Sequence, residues 1–110
     1  MPGTDRVIRD HQVAVLISTS HGSGWSTWNP DTSEAMLFDP QLVDIMLSGA
    51  EDRLDQARAL AALKYPGAHL RGIDASFQVQ WVDEGWYFRV TEYDGSERIE
   101  FRDRIDWIRA

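Results

Sequence analysis

Along the chain, apolar and polar positions alternate in three distinct ways, and each predicts a different element. Residues 12–18, Gln-Val-Ala-Val-Leu-Ile-Ser, form an unbroken aliphatic run bounded by a Ser/Gly cluster. Its shortness and its β-branched content predict a buried strand rather than a helix. Between 39 and 65 the apolar positions recur at helical spacing. Asp39-Pro40 reads as an N-cap followed by proline at the first helical position, predicting a short helix to Leu47 that stops near Ser48-Gly49. Ser48 and Glu51 have the capping-box spacing, so a second helix is expected to start there and run to about Tyr65. That helix places Leu54, Ala57, Ala61 and Tyr65 on one face, and Pro66-Gly67 ends it.

The last third alternates with period two. Phe77, Val79 and Trp81 interleave with Ser76, Gln78 and Gln80; Trp86, Phe88 and Val90 interleave with Tyr87, Arg89 and Thr91. Trp81 and Trp86 are therefore expected to point inward. Asp94-Gly95 predicts a type I′ hairpin turn. Counting outward from it pairs Val90 with Ile99, Phe88 with Phe101, Arg89 with Glu100 and Thr91 with Arg98. Glu92 then faces Glu97 on the apolar side, where like charges oppose. Two readings stay open: a carboxylate pair awaiting an Arg, a metal or a ligand hydroxyl, or a solvated sheet end where the two side chains splay apart. Residues 106–109 either close the sheet edge or form a last turn. The expected fold class is α+β: an antiparallel sheet with a C-terminal Asp-Gly hairpin, packed against one or two helices. Residues 1–11 are expected to be a flexible N-terminal segment and 12–110 a single domain.

Composition narrows the function classes. With 110 residues there is room for one core, and 43% hydrophobic content with five Trp suffices to build it. Cysteine is absent, which removes disulfides, thiolate metal sites and cysteine nucleophiles. No apolar run approaches the roughly 20 residues of a membrane span, and the charged N-terminus is unlike a signal peptide. A cytoplasmic protein without membrane association is expected. The net charge of −7 disfavours nucleic-acid polymers as partners but leaves room for a small anion held by focused Arg and backbone N–H groups, or for a basic protein partner.

The most unusual segment is 18–29, Ser-Thr-Ser-His-Gly-Ser-Gly-Trp-Ser-Thr-Trp-Asn. Gly22 and Gly24 permit a turn in which successive N–H groups converge on an anion. His21 and the hydroxyls of Ser20, Ser23, Ser26 and Thr27 add donors, and Trp25 and Trp28 offer faces on which a base stacks. The segment lacks the Lys-[Ser/Thr] ending of a P-loop and contains no Gly-x-Ser-x-Gly. The alternative is an ordinary loop whose two Trp cover the core. Arg71 and Arg89 are candidate phosphate clamps, with a solvated ion pair the simpler reading of each. His11, His21 and His69 show no metal-ligand spacing, and neither metal nor cofactor is expected.

Three segments, Gly24-Trp-Ser-Thr-Trp-Asn29, Lys64-Tyr-Pro-Gly67 and Phe88-Arg-Val-Thr-Glu-Tyr-Asp-Gly-Ser-Glu97, together resemble a family of small proteins encoded by tailed phages and prophages. The resemblance covers roughly residues 12–108. Within that group the chain looks similar to the Thoeris anti-defence type that sequesters cyclic ADP-ribose signals. The resemblance implies a homo-oligomer with pockets between protomers, built from aromatics and Arg at positions such as Trp25, Trp28, Tyr65, Arg71, Arg89 and Glu92. The function then expected is sequestration of a small nucleotide messenger (cyclic ADP-ribose-like or a cyclic oligonucleotide) without turnover. The alternative is an acidic inhibitor of a host defence protein, such as a nucleic-acid-binding nuclease, and a small acid–base enzyme using Glu92 or His21 is the third reading.

Overall fold

A computed structural model describes residues 5–22 and 24–101, and residues 108–109 as backbone. Among the described residues, six strands and three helices make an α+β fold: β1 (Ile8–Arg9), β2 (Gln12–Ser18), α1 (Ser33–Phe38), α2 (Pro40–Leu47), α3 (Arg53–Lys64), β3 (Phe77–Asp83), β4 (Tyr87–Tyr93), β5 (Ser96–Phe101) and β6 (Ile108–Arg109). Two short 3-10 turns, Ser26–Trp28 and Pro30–Thr32, connect β2 to α1.

The aliphatic run of β2 explains the layering. Its residues 13–18 are all buried, so both faces need a cover. On one face Ala14 and Leu16 join Met36, Leu42, Val43, Ala57, Ala61, Tyr65 and Phe77, a core supplied mainly by the helices. On the other face Val13, Val15 and Ile17 meet Leu37, Phe38, Val82 and Phe88, with Val90 and Ile99 packed alongside. The strands accordingly divide into two antiparallel sheets, ordered β1-β2-β3 and β5-β4-β6, rather than forming the one sheet expected. The first sheet is sandwiched between helices and the second sheet. A strand apolar on both faces demands such a double cover. Leu16 is fully buried in this arrangement.

Within that frame most predicted elements appear. Asp39 caps α2, its Oδ1 accepting the N–H of Gln41 at 3.0 Å and of Leu42 at 3.1 Å. Gly49 follows α2 at φ 74°, the left-handed conformation that glycine adopts freely. The hairpin register is the predicted one at every pair, Glu92 opposite Glu97 included. Asp94 and Gly95 sit at φ 50° and 87°, as a type I′ turn requires.

Four expectations change. The Ser48–Glu51 capping box does not form: the Ser48 hydroxyl bonds back to Ile45 O, and α3 starts only at Arg53. Helix α1 forms over Ser33–Phe38, where the apolar pattern predicts no element. Trp86 falls in the turn before β4 and is 55% exposed, its edge against Phe101, whereas Trp81 is half-buried against the helical core. Lastly, residues 8–9 of the segment expected to be flexible pair with β2 through a turn at Asp10-His11, both at positive φ. Arg6 lies over the Phe38 ring at 4.1 Å and Val7 packs on the helical core, which ties residues 6–9 to the fold. Of the terminal segment 106–109, residues 108–109 pair with β4 at a sheet edge, and 106–107 lie outside the described residues.

Replacing Leu16 by Ala is expected to cost about 2–5 kcal/mol of unfolding free energy, measured by urea titration, because neither cover can collapse into the gap.

Candidate ligand-binding site

The loop that leaves β2 does gather its N–H groups on an anion, and the anion belongs to the chain. The Glu97 side chain, 1% exposed, reaches from β5 into the loop. Its Oε1 accepts the Ser18 N–H at 2.9 Å; its Oε2 accepts the N–H of Trp25 at 2.8 Å, the N–H of Thr27 at 3.1 Å and the Thr27 hydroxyl at 2.5 Å. A buried carboxylate is tolerated only when its lone pairs are met, and these four donors meet them. The like-charge pair foreseen across the hairpin is resolved by separation. Glu92 stays exposed, its Oε2 accepting the Gly95 N–H at 2.8 Å and the Trp28 indole N–H at 3.5 Å.

Further bonds dock the hairpin tip on the same loop. The Gly22 N–H donates to Asp94 O, and the Ser96 hydroxyl donates to Thr19 O at 2.7 Å. Two glycines serve packing rather than a phosphate. A Cβ on Gly24 would lie 2.6 Å from the Trp28 ring, and one on Gly72 would lie 2.8 Å from Gly24 O. The loop is therefore packed tightly on itself and against the 70–73 turn, with no space for a Cβ at either glycine.

Beside this knot lies a cleft of about 430 Å³ lined by residues 28–32 and 64–69. Asn29 ties its two lips together: the side-chain amide donates to Trp25 O and His69 O at 2.8 and 2.9 Å, and Oδ1 accepts the His69 N–H at 2.8 Å. The Trp28 and His69 rings meet edge to face at 6.3 Å along one wall. Tyr65 and Lys64 form the other side. The Tyr65 hydroxyl donates to Asp39 Oδ2 at 2.5 Å, and Lys64 Nζ reaches the same oxygen at 2.8 Å. Burial by itself raises the Asp39 carboxyl pKa; the bonds from Lys64, Tyr65 and Leu42 outweigh it and hold the group below its ordinary 3.8. Burial first, then the Asp39 carboxylate, pushes the Tyr65 phenol above its ordinary 10.0. All of the Asp39 acceptor positions are thus engaged, which makes it a strut between α2 and α3 rather than a base.

The residues singled out in the sequence fall into separate places. Trp28 and Tyr65 line the cleft together. Glu92 and His21 belong to a second groove, where His21 meets the Tyr93 ring edge to face. Arg71 lines a third depression with Arg58 and Asp74. Arg89 is on the exposed hairpin face, paired with Glu100 at 3.5 Å. Trp25 is fully buried, its indole N–H on Met36 O at 3.0 Å, and so belongs to the core. Gly22 and Gly24 shape the loop. Sequence reasoning did not find Lys64, Asn29 or His69 as cleft residues. The Lys64-Tyr-Pro-Gly67 helix stop marked the place, but only the Asn29 bonds, 40 residues apart in sequence, bring it to Trp28.

Among the described residues, no group of three or more His, Asp or Glu side chains is placed to hold a metal ion. No helix among them is long and apolar enough to cross a membrane. Comparison with known proteins found no matching family, no matching curated protein and no matching solved structure.

Two outcomes are expected. Glu97→Ala strands buried donors that water cannot reach, so unfolding free energy should fall by roughly 3 kcal/mol or more, lowering Tm by over about 10 °C. A fall under about 3 °C in calorimetry would show that the carboxylate does not hold the loop. The Asp39 linkage has a definite sign. A depressed folded-state pKa gives stability that is present above 3.8 and lost as pH falls through the lower folded value. The acid limb of a Tm-against-pH curve should therefore flatten in Asp39→Asn, although that variant is less stable at neutral pH.

Proposed function

We propose that the protein binds a small nucleotide without turnover, with the base in the Trp28 cleft, and acts by sequestering it, in keeping with the resemblance to phage counter-defence proteins. The observation that carries this reading is the pairing of aromatic walls with polar ends in one cleft. Trp28 and His69 offer ring surface, Pro30 and Pro66 add rigid apolar edges, and Lys64 and Asp31 stand at the rim. A cleft of about 430 Å³ falls within the size of small-ligand sites. Base stacking on an aromatic side chain contributes about 1–3 kcal/mol and tolerates different bases.

Binding without chemistry is supported by how the ionisable groups are spent. The buried carboxylates Asp39 and Glu97 have their lone pairs filled by donors of the fold, and Tyr65 holds its proton tightly. Glu92 and His21, the alternative acid–base groups of the enzymatic reading, line a separate groove rather than the cleft. Sequestration works by mass action and needs tight binding; a nanomolar Kd corresponds to about −12 kcal/mol.

Thermal unfolding against a panel of linear and cyclic nucleotides tests the reading. A ligand at one hundred times its Kd adds about 2.7 kcal/mol of stability, so a saturable rise in Tm of roughly 10 °C is expected. Trp28→Ala should abolish the shift and Trp28→Phe retain most of it. If no nucleotide moves Tm, the reading is wrong, and a basic protein partner sought by pull-down at low salt becomes the better one.

A further inference from the structure

We infer that the outer edge of β5 is an interface between two copies of this chain, which pair there antiparallel about a two-fold axis centred on Ile99. The inference goes beyond the nucleotide reading and does not depend on it, since the cleft residues 28–32 and 64–69 take no part in this edge.

Strand β5 ends the second sheet, whose order is β5-β4-β6. One of its edges is occupied: six consecutive pairs, from Phe88 with Phe101 to Tyr93 with Ser96, join it to β4 without interruption. The two-residue turn fixes which backbone groups remain. Tyr93 and Ser96, next to the turn, exchange hydrogen bonds, and so does every second pair after them, so Arg98 and Glu100 spend their backbone groups on β4. The N–H and C=O of Glu97, Ile99 and Phe101 therefore point away from β4, and among the described residues no strand pairs with them. The Thr19 carbonyl, which accepts the Ser96 hydroxyl, bounds this stretch at the turn end. Edge strands are commonly blunted by Lys, Pro or a bulge. Ser-Glu-Arg-Ile-Glu-Phe contains neither residue, and its pairing with β4 is regular.

The charges that β5 does carry choose the register. Arg98 and Glu100 stand on the outer face of the hairpin, opposite Thr91 and Arg89. A two-fold axis at Arg98 would set that guanidinium against its own copy, and an axis at Glu100 would do the same with the carboxylate. An axis at Ile99, the midpoint of the open stretch, sets Arg98 opposite the partner's Glu100 twice over. Ile99 and its copy then exchange two backbone bonds, and Glu97 exchanges two with the partner's Phe101 on each side of the axis. This is an isologous contact, closed at two chains, made by strand addition at a sheet edge. Glu100, 3.5 Å from Arg89, comes to lie between Arg89 and the partner's Arg98. Arg98 is exposed and makes no ion pair among the described residues, so the contact supplies the carboxylate it lacks. On the inner face Ile99, half-buried beside Val90, gains its own copy as an apolar neighbour. Only the backbone of Glu97 is used, and its carboxylate stays on the Ser18 and Trp25 N–H groups.

Sedimentation equilibrium of the full chain, with charge exchanged between the two positions, tests the interface. The parent is expected at twice the chain mass of 12.6 kDa. Arg98→Glu alone opposes carboxylates at both contacts and Glu100→Arg alone opposes guanidiniums, so each should weaken the dimer about tenfold or more. Mixed in equal amounts, the two variants are complementary at both contacts and should form a heterodimer within about threefold of the parent affinity. Both side chains lie on the outer face rather than in the core, so circular dichroism should show each variant folded. A parent that stays monomeric at about 0.1 mM, single variants that dimerise as tightly as the parent, or a mixture that associates no better than its separate components would each overturn the inference. The Trp28 cleft is untouched by any of these results.

Discussion

The Glu97 carboxylate is the interaction on which the rest of the site depends. Two covers lie over opposite faces of β2, and the loop leaving that strand has to pass from one to the other. Backbone N–H groups in such a crossing cannot all find ladder partners, and burying them unmet is costly. Glu97 answers this from the second sheet: one side chain takes donors from Ser18, Trp25 and Thr27 and so fixes both ends of the loop. With the loop fixed, Trp25 drops into the helical core and Trp28 is turned outward as a wall. The same contact makes the loop, the hairpin and the cleft a single construction.

This arrangement reverses the simplest view of the Gly/Ser segment. A run of small residues with converging amides looks like a cradle for an external phosphate. Here the cradle is filled by an internal anion, which is a structural use of the same physics. The aromatic cleft is walled by Trp28, and the hairpin carries a separate groove lined by His21, Tyr93 and Arg98. Asp39 plays a parallel part under the cleft, where Lys64 and Tyr65 hold a second buried carboxylate and tie α2 to the end of α3. Both acids contribute to the chain's net charge of −7, yet neither adds to an exposed acidic surface.

How much of this was legible in the sequence depended on the range of the interaction concerned. Local chemistry read well. The Asp39-Pro40 cap, the Pro66-Gly67 stop and the Asp94-Gly95 turn each act within a few residues, and the hairpin register followed by counting. The continuous aliphatic run of β2 correctly implied burial, but not that two different covers would divide the strands into two sheets. The acid opposite Glu92 drew attention as an anomaly, and its explanation needed a loop 70 residues away. The cleft was half visible through Trp28 and Tyr65. Asn29, which closes it, is an unremarked residue in the sequence because its partners are backbone atoms of a distant turn. Arg71 and Arg89 attracted notice by charge alone, and charge carries no information about which depression a side chain will line.

Amide hydrogen exchange at Ser18, Trp25 and Thr27, followed by NMR in the free protein, tests the role of Glu97 most directly. If the carboxylate binds these three N–H groups in a buried site, they should exchange as slowly as the amides of β2, through global unfolding. Added inorganic phosphate should not change their rates. Fast exchange of Trp25 and Thr27, or protection that appears only with phosphate present, would mean that the loop is open to solvent anions and that Glu97 does not hold it.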